Sequence, residues 1–320
     1  MRHTMMLAVI VLSALLADAG PALSQYPTRT VRVIVPFAAG SVNDLVARVI
    51  APPLSEALGQ PFVIDNRPGA AGNLGAELAA KSPADGYTLM LGNISQAISV
   101  TLYERLNYDF LKDFAPVSHL AAGSFMLAVH PSLPARSVKS LIALARAKPD
   151  QLNVSVGGAG IIVAAELFKS TAGVRMTSVN YKGTPQILTA LASGEVSVGF
   201  PPTSAAVPQV QAGKVRGLGV TSRHRSPMAP EIATIEESGL PGYEATTWYC
   251  LMVPAGTSRD IVSRLNAEVA RALARPDVKG RFNATDMTPQ PSTPDQLGTF
   301  LRSEVVKWGK VVKASGMRPD

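Results

Sequence analysis

Val31 to Gly59 reads VRVIVPFAAGSVNDLVARVIAPPLSEALG, and its two halves have different periods. Val31 to Phe37 is a short run rich in β-branched residues, broken only by Arg32, which suits a parallel strand buried on both faces. After Ala38-Ala39-Gly40 an apolar pattern of helical period begins: Leu45 and Val49 stand one turn apart, with Val46, Ile50 and Leu54 in step beside them. Ser41, three residues before Asp44, offers a hydroxyl to the free N–H groups of a helix start. Strand, small-residue turn and helix in this order place unpaired N–H groups at the carboxyl end of a strand, where α/β units attract anions. Taken alone, the unit is also an ordinary capped connection. Pro52-Pro53 within the helix should kink or split it near Ala51.

Toward the N-terminus, Met1 to Ser24 reads as an export signal rather than part of the fold. Arg2 and His3 precede an apolar run from Met5 to Ala17, and Ala22-Leu23-Ser24 puts small side chains at the two positions a signal peptidase reads. The run is short for a membrane span, although an uncleaved anchor is the alternative. The expectation is an exported protein cleaved near Ser24, with a mature chain from about Gln25. With no cysteine near that point, a lipid anchor is not expected.

The bulk properties set the remaining bounds. A chain of 320 residues can bury a large core and is expected to form two lobes. Hydrophobic content of 47% with 17% charged residues describes a folded globular protein. An aromatic fraction of 6% is too low for a base-stacking surface. The net charge of +7 is scattered, and its densest cluster, Arg223-His224-Arg225, is no groove-reading stripe, so no nucleic-acid partner is expected. Cys250 is the sole cysteine, which excludes an internal disulfide, and its apolar surroundings from Tyr249 to Val253 suggest a buried, inert thiol.

Outward from the opening unit the chain alternates strands and helices throughout. Pro61 to Asp65 reads as a strand, Asn73 to Lys81 as a helix, and Tyr87 to Leu91 as a strand ending at Gly92-Asn93. Ala115 to Pro131 is a long extended segment that can run from one lobe to the other, with Trp248 to Pro254 as the return. Between them, after a helix at Val138 to Ala147, the opening logic repeats. Strand Leu152 to Val156 leads into Gly157-Gly158-Ala159-Gly160, then a helix from Ile161 to Thr171. The spacing is not GxGxxG, and Thr177 to Asn180 offers no acidic residue for a ribose, so a dinucleotide site is rejected. Further strands fall at Thr177 to Tyr181, Val196 to Phe200 and Val215 to Thr221, with helices at Pro185 to Ala192 and from Pro201-Pro202 to Ala212. Amphipathic helices at Ile261 to Arg275 and Pro294 to Ala314 close the chain. Arg264, Arg271 and Arg275 on the first of these read as a solvated stripe.

No HExxH, P-loop, GxSxG or CxxC pattern occurs, and His119, His130 and His224 show no metal-ligand spacing. Asp44 reads as a helix cap before a general base, and Lys182 as a loop cation before a Schiff-base lysine. No metal, no cofactor and no catalytic group are expected.

A family resemblance spans the expected mature chain. YPTRTVRVIVPFAAGSVNDLVAR, DNRPGAAGNLGAE, DGYTLMLGN, DFAPVSHL, NYKGTPQILTALASGEV, AGKVRGLGVTS and ESGLPGYEATTWYCLMVPAGT stand in order. Together they resemble the Bug family of periplasmic substrate-binding proteins, which serve tripartite tricarboxylate transporters. The resemblance implies an α/β, two-lobe, type II periplasmic-binding-protein fold, each lobe a mostly parallel sheet flanked by helices. Residues 25–123 plus 248–320 would form one lobe and 124–247 the other. It also implies a small carboxylate held in the cleft by backbone N–H groups and waters at two loops, Phe37, Ala38, Ala39, Gly40, Ser41, Asn43 and Asp44 in the first, Gly157, Gly158, Ala159 and Gly160 in the second. Asn93, Ser95 and the Tyr181-Lys182-Gly183 turn would line the cleft by the same analogy.

The chain departs from the family pattern at those loops. FAAGSVND stands where a form like FPPGGATD is common, so Ser41 adds a hydroxyl in place of a glycine. The second loop looks shorter than usual and runs straight into Ile161-Ile162-Val163, and Pro201-Pro202 follows Phe200 where a polar or acidic residue is common. Fewer side-chain hydrogen bonds on the second lobe suit a mono- or dicarboxylate with an apolar or aromatic body better than citrate. The expected protein is a monomeric, non-enzymatic solute-binding protein partnered by membrane transporter subunits. A sensor component with the same pocket, an α/β enzyme using Asp44 and Lys182, and a scaffold that has lost its ligand are the alternatives.

Overall fold

The computed structural model describes residues 26–315 and residue 317, so the expected export signal lies outside the described residues. Eleven strands form two sheets among the described residues. β1 (Val31–Val35) lies between β2 (Phe62–Asn66) and β3 (Thr88–Asn93), parallel to both. Its unbroken apolar run is explained by burial on two faces. Val31, Val33 and Val35 join one apolar cluster with Val46, Ile50 and Leu54 of α1 (Val42–Leu58), while Ile34 joins another with Met90. α1 continues unbroken through Pro52-Pro53. The split expected there does not occur, because Ile50, Ala51, Pro53 and Leu54 are all buried and packing holds the turn whose backbone bonds the prolines remove. α2 (Asn73–Ala80) and α3 (Ile94–Leu102) follow β2 and β3 respectively.

β4 (Phe114–Ser124) then runs along the first sheet, and after Phe125 the chain enters the second sheet as β5 (Met126–Val129). The rest of that sheet is β6 (Asn153–Val156), β7 (Thr177–Asn180), β8 (Val198–Gly199) and β9 (Arg216–Val220), in the order β7-β6-β8-β5-β9. α4 (Val138–Ala147), α5 (Ala159–Ala172), α6 (Thr184–Ser193) and α7 (Thr203–Gln211) connect them. The chain returns in β10 (Thr246–Pro254), antiparallel to β4 from Thr246 opposite Ser124 to Pro254 opposite Phe114. α8 (Arg259–Ala274), α9 (Pro276–Asn283), β11 (Met287–Pro289) and α10 (Pro294–Ser315) complete the first lobe, whose strand order is β11-β4-β10-β3-β1-β2. α9 and β11 were not foreseen, being short and without periodicity.

Both sheets are mixed. Parallel pairing holds for β2-β1-β3 and for β7-β6-β8, as the repeated strand–helix units predict. The strands that carry the chain across, and those beside them, pair antiparallel, because they enter each sheet from the other lobe. α5 begins at Ala159 rather than Ile161, so Ala159 and Gly160 belong to the helix and not to the turn before it.

One buried carboxylate locks the C-terminal helix to the crossing strands. Glu304 of α10 accepts the indole N–H of Trp248 in β10 at 2.7 Å and that of Trp308 at 2.6 Å, with both rings fully buried. α10 packs on α3 and β4 and also reaches α5 in the second lobe. Glu304→Ala leaves two indole donors buried without an acceptor, and the expected cost is about 3 kcal/mol. Urea titration should show it as a lowered midpoint at unchanged slope, with Glu304→Gln intermediate because it keeps an acceptor oxygen.

Candidate binding site

Four helices start at the wall of one interlobe cavity of about 420 Å³. From the first lobe come Val42 and Asn43 of α1 and Ile94 and Ser95 of α3. From the second come Ala159, Gly160 and Ile161 of α5, and Pro202 with Ser204 at the head of α7. The first N–H groups of any helix have no acceptor within it, and the aligned peptide dipoles add partial positive charge there. The helix starts bring partial positive charge to a gap with no Lys or Arg on its wall, and Asp286 is the one charged side chain lining it. Phe37, Leu45, Phe125, Tyr249 and Met287 add apolar surface. Burial pushes the Tyr249 phenol up to about 12, so it stays neutral.

The two lobes present their amides differently. On α1, Ser41 Oγ accepts from Asp44 N at 3.3 Å, the Gly40 N–H goes to Asp44 Oδ2 at 2.9 Å, and the Ser41 N–H goes to the Ala38 carbonyl at 3.2 Å. On α3, Asn93 Oδ1 takes the Ser95 N–H at 2.8 Å, and Gln96 Oε1 takes the Asn93 N–H at 2.9 Å. Asn93 Nδ2 also donates to Asn43 Oδ1, fastening the two helix starts together. These first-lobe ends are largely satisfied by their own side chains. α5 and α7 are headed by Gly158 and Pro202, with no side-chain cap on either. Their leading N–H groups, unlike those of α1 and α3, meet no capping side chain.

The backbone requirement explains the glycines at α5. Gly158 has φ +76°, a left-handed conformation that disfavours a side chain, and nothing lies within 4 Å of where a Cβ would point. At Gly157 a Cβ would stand 2.4 Å from the Tyr181 carbonyl oxygen. The strand therefore approaches the Tyr181 turn as closely as backbone allows.

The structure brings Phe37, Asn43, Asn93, Ser95 and Gly157 to Gly160 to this wall and places the other expected residues elsewhere. Ala38, Ala39 and Gly40 are exposed on the loop outside it. Ser41 and Asp44 serve the cap itself, Asp44 accepting also from Arg48 Nε at 2.8 Å and Asn66 Nδ2 at 3.1 Å. Tyr181 turns to Glu195 at 2.8 Å and borders a separate surface hollow with Pro185 and Gln186, while the Lys182 N–H goes to Gln186. The Pro201 carbonyl accepts from Met126 N at 2.8 Å, and it is Pro202 that reaches the cavity. Ser124, Ser204, Thr247, Thr285 and Asp286 were missed. Ser204 alone had a signal, as the start of a third strand-to-helix turn.

A family profile described as the tripartite tricarboxylate transporter family receptor matches residues 46–317. Protein BugT of Bordetella pertussis is 34% identical over 326 residues, covering 99% of both chains. Among solved structures, R. palustris Rpa4515 with adipate is 38% identical with a TM-score of 0.76, over 92% of this chain and 100% of that one. MatC (Rpa3494) from Rhodopseudomonas palustris with bound malate is 34% identical with a TM-score of 0.73, over 90% and 100%.

The hydrogen bond from Arg48, helped by those from Gly40 and Asn66, holds the Asp44 carboxyl below its ordinary value, against the opposing effect of burial. A carboxyl lowered by folding contributes stability that is complete above its unfolded value of about 4 and is lost as the pH falls through the folded one. Asp44→Asn should therefore cost about 1 kcal/mol at pH 7, limited by the solvent around Arg48. The difference from wild type should narrow below pH 4, which thermal melts across pH 3 to 7 would read.

Proposed function

The chain belongs to the tripartite tricarboxylate transporter receptor family, and from that premise we propose that it captures a small organic carboxylate in the interlobe cavity for delivery to a membrane transporter. The observation that supports this most is the convergence of four helix starts, two from each lobe, on a gap without a cationic side chain. Helix N-termini hold carboxylates by N–H donation into a favourable dipole. Each such charge-assisted bond contributes about 1.5–3 kcal/mol, and two or three give micromolar affinity after association costs. The uncapped heads of α5 and α7 are the main seat, with Val42 and Asn43 closing from the opposite lobe. Adipate and malate in the solved relatives are acids of this size.

The ligand is a mono- or dicarboxylate with an apolar body, set against Phe37, Leu45, Phe125 and Met287. Residues 26–123 with 248–315 belong to one lobe and 124–247 to the other, with the ends of β4 and β10 at Ser124, Thr246 and Thr247 forming the crossing. The protein acts as a monomer in the periplasm, after loss of the leader that the first 24 residues resemble. No helix among the described residues is long and apolar enough to cross a membrane. Binding proceeds without turnover: Asp44 is engaged by Gly40, Arg48 and Asn66, and the Lys182 turn stands off the cavity.

Calorimetric titration of the dialysed protein with a panel of organic acids tests this. The expected result is micromolar binding of mono- or dicarboxylates, weakened roughly tenfold in Gly157→Ala, which must displace the head of α5 from the Tyr181 carbonyl. Citrate or another tricarboxylate as the tightest member overturns the size class, and silence across the panel overturns the function.

A further inference from the structure

Four hydroxyls stand on the cavity wall where β4, β10 and the turn before β11 meet, those of Ser124, Thr247, Tyr249 and Thr285. Three of them spend their protons inside the protein. Ser124 Oγ donates to Asp286 Oδ2 at 2.8 Å, Thr285 Oγ1 to the Phe282 carbonyl at 2.9 Å, and Thr247 Oγ1 to Tyr249 Oη at 3.3 Å. Tyr249 receives a bond and gives none: its own proton meets no acceptor among the described residues. Its ring belongs to the apolar cluster of Leu120, Leu251 and Met287, and the residue is only 4% exposed. A buried hydroxyl of this kind lacks a hydrogen bond that a ligand can complete. Ser95 and Ser204, the other hydroxyls lining the cavity, stand at the starts of α3 and α7.

We infer that Tyr249 determines specificity: its phenol donates to an oxygen that the bound acid carries beyond its first carboxylate, so that dicarboxylates are preferred to monocarboxylates of equal length. The inference rests on the carboxylate reading above and narrows it. An acid seated at the starts of α5 and α7, in the second lobe, presents its other groups to the first-lobe wall, and Tyr249 is on that wall through β10. Asp286 is tied through Ser124 to Thr203 in the first turn of α7, whereas Tyr249 has no bonded link to either second-lobe helix start. Burial keeps the phenol protonated, so it acts as a donor at neutral pH. A second carboxylate makes a charge-assisted bond with it, and a methyl end leaves it unpaired. Thr247 is a positioning residue, since its donation to Tyr249 Oη turns the phenol's proton away from itself.

The test titrates dialysed wild type and Tyr249→Phe with three pairs of equal length: butyrate and succinate, pentanoate and glutarate, hexanoate and adipate. In wild type the best dicarboxylate should bind roughly tenfold or more tighter than its monocarboxylate. In Tyr249→Phe that ratio should fall below about threefold, with the dicarboxylate losing and the monocarboxylate holding or gaining. The substitution removes one oxygen from a buried ring and leaves the Thr247 hydroxyl, which is half-buried, to turn to water. Should the variant fail to fold, Thr247→Val is read in its place: loss of the preference with rescue by Thr247→Ser supports the assignment, and an unchanged preference overturns it. A monocarboxylate bound as tightly as its dicarboxylate in wild type, an equal loss for both in Tyr249→Phe, or a ratio unmoved by it overturns this inference and leaves the carboxylate reading standing. No binding of any of the six acids overturns both.

Discussion

The antiparallel pairing of β4 with β10 is the constraint on which the arrangement of the molecule rests. These two strands carry the chain out of the first sheet and back, side by side from Phe114 and Pro254 to Ser124 and Thr246. Their far ends bring Ser124 and Thr247 to the cavity wall. The first sheet contains this pair, the second begins where the chain leaves it at β5, and in both sheets parallel strand–helix units start their helices at the carboxyl ends of the strands. Helix starts from both lobes consequently face one gap. Register irregularities near Tyr249 and Leu251 break an otherwise regular ladder, in strands that are buried nearly throughout.

That geometry gathers partial positive charges around a gap that has no cationic side chain on its wall. Lysine or arginine in the cavity would hold an anion more strongly, at the expense of desolvating the cation. Backbone amides are already fixed in direction and need no side chain to be ordered. Their distribution is uneven. Ser41 and Asn93 occupy the first-lobe ends, whereas Gly158 and Pro202 leave the second-lobe ends open. One lobe presents helix starts closed by their own side chains and the other presents starts without a side-chain cap.

The strand–helix alternation was legible in the sequence because burial writes it there directly. Val31 to Val35 is apolar on both faces since α1 covers one and the α3 side covers the other. Asn43, Asn93 and Gly157 to Gly160 were legible for a related reason: turns between strand and helix need capping or glycine residues at set positions. The residues missed are joined by contacts that leave no period. Ser124 and Asp286 meet across 162 positions, one at a strand end and the other in a turn after a short polar helix. Ala38 to Ser41 are expected at the wall, whereas the Gly40 and Ser41 amides donate within their own loop, to Asp44 Oδ2 and the Ala38 carbonyl, and the next residues, Val42 and Asn43, line the cavity. The unbroken course of α1 through Pro52-Pro53 shows tertiary packing overriding a local preference.

α10 closes the first lobe yet lies against α5 of the second, whose first turn lines the cavity. Rotation of one sheet relative to the other about β4 and β10 must therefore slide α5 along α10 as the gap narrows or widens. Any such rotation would have to be accommodated by side chains on a helix-to-helix surface that lies outside the cavity lining. Mutational drift on that outer surface can retune how bulky a guest is admitted while every group that touches the guest stays the same.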